Sequence, residues 1–223
     1  MWGTMSRQAI GESKRAKRAA PEVRQADILE AALAEFSEHG FEGARMEDVA
    51  RKAHVSKGTV YLYYPTKQAL FEALVRRDIA PRVGLATLFI KGYDGPIRPA
   101  LLRIVDMASA AIAAGKLPIY PKLLIAEAGR FPDLAAFYRR EVVGKMLEAL
   151  GQLFGKATAR GEINSENHEM TAHLFIAPVL KALMWSIVFA PIEDEPFPPG
   201  PYLKAHVGIF LRGLGYKGES EDA

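Results

Sequence analysis

The stretch of residues 55–67, VSKGTVYLYYPTK, constrains the fold most, because its punctuation allows one short helix and nothing longer. Ser56 is suited to cap a helix by accepting a hydrogen bond from a backbone N–H near Thr59. Pro65 then disfavours helical backbone in the residue before it, about two turns later. Thr66 suits the cap of a following helix that begins at Lys67. The stretch therefore predicts two helices with a sharp break between them.

The side chains of this short helix suit contact with an anionic polymer. Gly58 lets another backbone approach closely, and Tyr61, Tyr63 and Tyr64 combine flat apolar area with a hydroxyl group. Lys67 stands beside exposed N–H groups at a helix start, where a phosphate binds readily. No acidic residue occurs from 49 to 71, whereas four basic residues do, so an anion meets no repulsion there. These basic residues are Arg51, Lys52, Lys57 and Lys67.

Two helices are predicted before this stretch. Residues 21–39 form an amphipathic pattern that Gly40 closes. Residues 46–53 form a second short helix with Glu47 and Asp48 in its first turn, where acidic side chains are stabilising. A turn at residues 54–56 joins it to the next helix, which is the arrangement of a helix-turn-helix. The apolar stripe of the first helix is Ile28, Leu29, Ala32, Leu33 and Phe36.

Residues 27–74 closely resemble the DNA-binding domain of the TetR/AcrR family of bacterial transcriptional regulators. The resemblance implies an all-α fold, with an N-terminal three-helix helix-turn-helix DNA-binding domain and a larger C-terminal helical ligand-binding and dimerisation domain. Members of this family are mostly dimeric, ligand-responsive repressors. The matching pieces, in order, are Ile28-Leu29, Ala31-Ala32, Phe36, Gly40-Phe41, Asp48-Val49-Ala50, residues 55–61, Tyr63-Tyr64 and Lys67.

Two positions depart from the family pattern. Ala44-Arg45 stands where a Ser or Thr usually caps the second helix, and we expect the Arg45 guanidinium to replace the lost phosphate contact. His54 stands where the turn often has Gly, and we expect mild strain from a left-handed backbone.

The resulting prediction is a cytoplasmic repressor, associated with the nucleoid when bound, that binds a palindromic operator as a homodimer and is released by a small apolar or aromatic effector. A transcriptional activator and a helical protein–protein adaptor are the alternatives, and a helical enzyme or metal protein is a further rival. We expect Lys57, Thr59, Tyr61 and Tyr63 to touch bases or nearby phosphates. Gly58 would allow close approach, and Arg45, Tyr64 and Lys67 would hold the DNA backbone.

The predicted domains are a flexible basic arm at 1–20, the DNA-binding domain at 21–66, an effector-binding and dimerisation domain at 67–215, and a flexible tail at 216–223. The arm is either a solvated tail or a segment that reaches a phosphate or the minor groove. The net charge of +3 does not itself indicate DNA. The absence of cysteine agrees with a reducing cytoplasm, and no apolar secretion signal is visible at the N-terminus.

In the C-terminal part, Gly and Pro punctuation predicts a succession of helices. Asn164 or Ser165 is expected to cap the fifth of them. Its apolar run at 174–192 contains Lys181 and Pro178, so we expect burial in the protein and not a membrane span. The predicted helices are 66–79, 99–114, 121–128, 132–158, one from 164 or 165 to 189, and 202–214.

The same part carries no catalytic motif, and no metal or cofactor is expected. His168 and His173 are five residues apart, which does not place them on one helical face. Residues 125–134 resemble a ligand-domain pattern of TetR-family members, and Glu127, Arg130 or His173 is expected to anchor an effector. The expected pocket, with ordinary core as the alternative for each residue, is Met107, Tyr120, Leu124, Phe137, Tyr138, Met146, Phe175 and Met184. The expected dimer contacts are Leu174, Pro178, Lys181, Trp185, Val207, Phe210, Leu211 and Leu214.

Overall fold

A computed structural model describes residues 21–115, 119–195 and 197–216, and every regular element in these residues is helical. The predicted all-α fold class is therefore confirmed. The predicted arm at 1–20 lies outside the described residues, as do residues 217–223 of the predicted tail. The helices are α1 (Pro21–Gly43), α2 (Met46–Lys52), α3 (Lys57–Tyr63), α4 (Lys67–Asp78), α5 (Ala80–Gly92), α6 (Ile97–Ala113), α7 (Ile119–Glu127), α8 (Pro132–Tyr138), a π-helical turn (Arg139–Val143), α9 (Gly144–Ala159), α10 (His168–Val188), a 3-10 turn (Ala190–Ile192) and α11 (Pro199–Gly213).

The chain divides into two compact units. The described residues up to Arg76 form the first unit together with Leu123–Leu134, and the second unit comprises Arg77–Lys122 and the residues from Ala135 onward. The first unit thus extends ten residues beyond the predicted boundary at residue 66 and includes most of α4. It also includes a segment that the sequence pattern grouped with the ligand domain.

The core of the first unit is built on the predicted apolar stripe of α1. Ile28, Ala32 and Phe36 are almost fully buried, and Val60 of α3 and Phe71 of α4 are fully buried. Gly40 has a φ of 70°, and the backbone leaves helical geometry there before α1 resumes for one short stretch. Because left-handed backbone is accessible to glycine without a steric cost, the predicted end of the helix at Gly40 is confirmed as a break.

The predicted punctuation around α3 is confirmed in atomic detail. Ser56 Oγ accepts the backbone N–H of Thr59 at 3.1 Å and so caps α3. The helix ends before Pro65, and Thr66 Oγ1 accepts the N–H of Ala69 at 3.0 Å at the start of α4. Local side-chain chemistry therefore sets both ends of this seven-residue helix.

The second unit has its own core. Helix α6 packs against α11, and α9 packs against α5 and α10. The rings of Phe154, Phe175 and Phe210 contact one another with centroid separations of 5.4 to 5.8 Å. Edge-on and tilted ring pairs at this spacing add to the stabilisation from apolar burial.

In this unit one helix was not predicted and one predicted helix cap is wrong. Helix α5, Ala80–Gly92, has no counterpart among the predicted helices. The cap of α10 is Asn167, whose side-chain oxygen accepts the N–H of Met170 at 2.9 Å. Both predicted caps are engaged elsewhere, because the N–H of Asn164 binds Leu214 O at 2.7 Å and the Ser165 hydroxyl contacts Thr171.

Helix α10 is strongly apolar along most of its length. The stretch His168–Ile192 is long and apolar enough to cross a bilayer by length and composition alone, and only 17% of its most apolar window is buried. Phe175, Val179 and Ala182 nevertheless face the core of the second unit. The helix therefore has one buried face and a second apolar face that one chain leaves uncovered.

Candidate nucleic-acid interface

Helices α2 and α3 form a helix-turn-helix joined by residues 53–56. His54 has a φ of 53°, which is the left-handed backbone expected from its position. The N–H of Val55 binds Ala50 O at 3.0 Å, which folds the turn back on the end of α2. The turn and both helices were predicted from sequence with their order and spacing.

The outward face of α3 carries most of the predicted DNA contacts. Val60 is fully buried and holds the helix against the unit. Lys57 and Gly58 are exposed, and Tyr61 is 41% exposed, so a ligand can reach them. Thr59, Tyr63 and Tyr64 are half-buried.

Leu62 is the most exposed apolar side chain of α3, at 80%, and the sequence reasoning did not select it. It lies two residues after Val60 and so faces away from the side that α3 packs inward. That offset was readable from the sequence once Val60 was recognised as the inward residue.

Lys57 is bound to a carboxylate of the preceding helix. Its ammonium lies 2.5 Å from Glu47 Oε1 and 5.6 Å from the centre of the Tyr61 ring. The hydrogen bond to Glu47 raises the pKa of Lys57, and the same bond lowers the pKa of Glu47. A phosphate that binds Lys57 therefore competes with Glu47 or uses another of the three ammonium hydrogens. Both side chains are more than half exposed, so such an exchange is sterically open.

Arg45 occupies the N-cap position of α2 with an extended backbone, and its side chain makes no capping hydrogen bond. This confirms the predicted loss of the hydroxyl cap. The residue is exposed, so its guanidinium extends from the start of the helix-turn-helix into solvent.

Lys67 is engaged inside the first unit. Its ammonium donates to Phe41 O at 2.8 Å and to Glu42 O at 2.7 Å, and it lies 5.2 Å from the centre of the Phe41 ring. Burial lowers the pKa of Lys67. The cation that the sequence assigned to a DNA phosphate thus stabilises the last carbonyls of α1, which lack helical partners.

A cluster of titratable residues on α1 was not anticipated. Ligand atoms of Glu35, Glu38 and His39 lie within 4.8 Å of one another, as a metal site would require. The Lys52 ammonium lies 2.8 Å from Glu35 and 2.7 Å from Glu38 and supplies the positive charge. Lysine thus takes the role that a metal ion would have there.

The eight residues expected to line an effector pocket differ in burial. Phe175 is fully buried among the aromatic rings of the second core, whereas Met184 is 37% exposed. Leu124 belongs to the first unit and the other seven residues to the second. Tyr120 and Phe137 are buried, and Met107, Tyr138 and Met146 are half-buried by surface area. Burial raises the pKa of Tyr138 to about 12.

A groove of about 710 Å³ lies in the second unit between α9 and the first turns of α10. It includes His173, one of the three expected polar anchors, but none of the eight expected pocket residues. The other two anchors, Glu127 and Arg130, belong to the first unit. The polar residues that line the groove are Arg139, Glu148, Gln152, His168, Glu169 and His173.

Some of the residues expected at a dimer contact are buried in this chain, and others lie at its surface. Val207 and Leu211 are only 1% and 2% exposed, so they fill the core of this chain and are not available at its surface. Leu174 is 59% exposed, whereas Pro178, Trp185, Phe210 and Leu214 are half-buried. The sequence reasoning missed Leu180 and Ile209, which are 52% and 62% exposed.

Lys181 is enclosed by aromatic rings. Its ammonium lies 4.2 Å from the ring centre of Trp185, 3.7 Å from that of Phe197 and 4.6 Å from that of Tyr202. Cation–π attraction therefore holds the side chain against its own unit.

Comparison with known proteins matches both parts of the chain. Residues 28–74 match a family model described as bacterial regulatory proteins, tetR family, and residues 99–212 match the C-terminal domain of AefR-like transcriptional repressors. The HTH-type transcriptional repressor SCO4008 of Streptomyces coelicolor is 33% identical over 107 residues. That match covers 44% of this chain and 56% of the repressor.

Solved structures share the fold over a larger part of the chain. A TetR-family transcriptional regulator from Mesorhizobium loti has a TM-score of 0.69 and 25% identity, and the match covers 85% of this chain and 96% of that one. The regulator FadR of Bacillus subtilis, solved in complex with stearoyl-CoA, has a TM-score of 0.70 and 17% identity. That match covers 85% of this chain and 98% of FadR.

Proposed function

This chain is a member of the TetR family of bacterial transcriptional regulators, and from that premise we propose that it is a homodimeric repressor of a palindromic operator, released by a small apolar or aromatic effector. The outward face of α3 carries the proposal. One buried residue, Val60, holds this helix, and exposed Lys57, Gly58 and Tyr61 are left for a ligand. The repressor name of the SCO4008 relative supports the direction of regulation.

In this proposal α3 enters the major groove of DNA. Lys57, Thr59, Tyr61 and Tyr63 contact base edges or adjacent phosphates, and Gly58 allows the helix start to approach the strand. Leu62 adds an apolar surface that suits a thymine methyl group.

Three further residues are proposed to contact the DNA backbone. The exposed Arg45 is best placed for this, and Tyr64 follows α3 directly. Lys67 has one ammonium hydrogen left beyond the two that its carbonyl partners use, so its contact is the weakest of the three.

A second copy of the chain is proposed to cover the outer apolar face of α10. Leu174, Leu180, Met184 and Val188 on α10 and Ile209 on α11 are all more than a third exposed. Contiguous apolar surface of this kind usually marks an interface. The paired chains would place two recognition helices about 34 Å apart, in successive turns of the major groove.

The effector is proposed to act in the cytoplasm on the second unit. Among the expected pocket residues, Met107, Tyr138 and Met146 are half-buried and remain the best candidates for a lining. FadR, which shares the fold, was solved with stearoyl-CoA, and this supports an apolar ligand as the class to test first. The effector releases DNA only to the extent that it binds one spacing of the recognition helices better than the other.

The first experiment is to select duplexes from a random-sequence pool with the full chain and to measure binding against salt concentration. A repressor of this kind selects a palindrome, and Lys57→Ala weakens binding more than the matched surface change Lys122→Ala. Weak and sequence-blind binding would instead favour the adaptor. A reporter fused to the selected operator separates the remaining alternative, because loss of a repressor raises expression and loss of an activator lowers it.

A second experiment tests the dimer. Leu174→Glu with Leu180→Glu is expected to yield a monomer in sedimentation velocity, because two charges would be buried in an apolar contact. Leu85→Glu, a change at a similarly exposed apolar residue on α5, is the control. A wild-type chain that sediments as a monomer at tens of micromolar would contradict the proposal.

A further inference from the structure

A short segment far along the chain completes the first unit. Leu123–Leu134 belongs to the same compact unit as α1 to α3. Glu42 and Glu127, which are in contact, lie 85 positions apart. The segment meets the end of α1 immediately before α2, the first helix of the helix-turn-helix, begins.

The first contact is a hydrogen bond to the backbone. The Glu127 carboxylate is only 8% exposed and accepts the N–H of Glu42 at 3.2 Å. It lies against the left-handed turn at Gly40, where an added Cβ would be 3.4 Å from Glu127 Oε1. A buried carboxylate requires a partner of this kind, so Glu127 and the turn are matched to each other.

Two side-chain contacts of the same segment act on the same place. The Arg130 guanidinium forms an ion pair with the Glu42 carboxylate. The Phe131 ring packs edge-on against Phe41, with centroids 4.9 Å apart and an interplanar angle of 70°. Phe41 in turn stacks on Phe36 in the core of the unit at 5.4 Å.

Lys67 holds the same peptide from α4. The backbone N–H of Glu42 donates to Glu127, and its carbonyl accepts from Lys67. Both backbone polar groups of this residue are therefore bound by side chains from other elements. Since α2 begins at Met46, four residues after Glu42, the direction in which the chain enters the helix-turn-helix depends on this anchor.

We propose that Glu127, Arg130 and Phe131 are positioning residues that brace the helix-turn-helix for operator binding. The inference rests on the proposed operator binding. The three residues act through Phe41 and Glu42, and all of these contacts lie within the first unit.

The brace is tested with a duplex that the wild-type chain selects from a random pool. Glu127→Ala is expected to bind it about tenfold more weakly, the size expected for loss of a hydrogen bond to a charged group. The slope of log affinity against log salt is expected to stay unchanged, because no phosphate contact is lost. Glu127→Gln keeps an accepting oxygen and is expected to bind within about threefold of wild type. Glu148→Ala, which removes an exposed carboxylate from α9, is the control with the same charge change.

Equal operator affinity of Glu127→Ala and wild type would overturn the brace, even if the variant unfolds at a lower temperature. If Glu127→Ala does not fold, Arg130→Ala and Phe131→Leu are each expected to weaken binding with an unchanged salt slope. Wild-type affinity in both would overturn the inference. A wild-type chain that selects no sequence refutes the proposed function itself, which is a separate result.

Discussion

The position of Lys67 separates a structural role from a DNA contact, and Lys67→Met tests the difference. The change keeps most of the apolar stem and removes the ammonium that binds Phe41 O and Glu42 O. A hydrogen bond to a charged group contributes about 1.5 to 3 kcal/mol. Burial lowers the pKa of Lys67, so desolvation of the ammonium offsets part of this gain. We expect a net loss of about 2 kcal/mol in the free energy of unfolding.

This loss corresponds to a fall of about 4 to 8 °C in the midpoint of thermal unfolding for a chain of this size. Circular dichroism at 222 nm measures it, with Lys122→Met as the control because Lys122 is exposed on α7. The same variant is then titrated with operator DNA at several salt concentrations. We expect the salt slope to fall by much less than one unit, since Lys67 already serves two carbonyls and has one ammonium hydrogen left for a phosphate.

Two results would refute this reasoning. A midpoint within 1 °C of wild type would show that the carbonyl contacts of Lys67 contribute nothing measurable. A salt slope reduced by about one unit would show that Lys67 makes a full phosphate contact and not the weak one proposed above.

Four further changes give expected outcomes. Lys57→Ala should lower the salt slope by about one unit per chain while the unfolding midpoint stays constant, because its ion pair with Glu47 is exposed. Arg45→Ser should add a cap to α2 and raise the free energy of unfolding by about 0.5 to 1 kcal/mol in urea titrations, while operator affinity falls. His54→Gly should raise the same quantity by about 0.5 to 1 kcal/mol by relieving left-handed backbone. Tyr138, whose folded pKa is raised from 10.0 to about 12, should contribute stability below pH 10 that is lost as pH rises to 12. The free energy of unfolding of Tyr138→Phe should fall less than that of wild type over this pH range.

Each of these four has a result that contradicts it. An unchanged salt slope in Lys57→Ala would mean that Lys57 keeps its bond to Glu47 on DNA. Lower stability in Arg45→Ser would show that the guanidinium holds α2 in a way that a hydroxyl cannot replace. A destabilised His54→Gly would imply that the imidazole makes a contact worth more than the strain. If wild type and Tyr138→Phe lose the same free energy of unfolding as the pH rises from 10 to 12, Tyr138 does not cause that loss.

The sequence predicted those parts of the fold that depend on neighbouring residues. Ser56, Pro65 and Thr66 set helix ends through hydrogen bonds or steric limits within four positions, so their roles were readable without a structure. Helix α5 was missed because its apolar residues are spread around the helix and leave no clear stripe. The brace from Glu127 to Glu42 spans 85 positions, and no local pattern encodes such a pairing.

Among the functional residues too, the sequence predicted what depends on local pattern and missed what depends on distant contacts. Val207 and Leu211 lie on the apolar face of α11, and sequence periodicity identifies that face without saying whether a partner or the chain itself covers it. The structure places both in the core, because α11 packs on α6. Leu180 and Ile209 were missed for the related reason that an exposed apolar residue and a buried one read alike in the sequence.

The acid-free window at 49–71 gave the right function through an incomplete argument. All four of its basic residues are engaged inside the first unit, because folding brings acceptors from α1 and α2. Arg51 pairs with Asp48 at 2.7 Å and Lys57 with Glu47 at 2.5 Å, and both cations are more than half exposed. Lys52 and Lys67 bind more buried acceptors at the end of α1.

A surface of paired charges can still bind DNA where its cations can exchange partners. Arg51 and Lys57 can make that exchange, because both cations are more than half exposed and solvent screening keeps such ion pairs weak. If Lys52 left its partners, the buried Glu35 carboxylate would lose its cation, and if Lys67 left, the last carbonyls of α1 would lose a donor. These two lysines therefore hold the helices that carry Arg51 and Lys57. A count of charges along the sequence gives the number of cations. The burial of each cation's partner in the fold determines which of these cations a phosphate can bind.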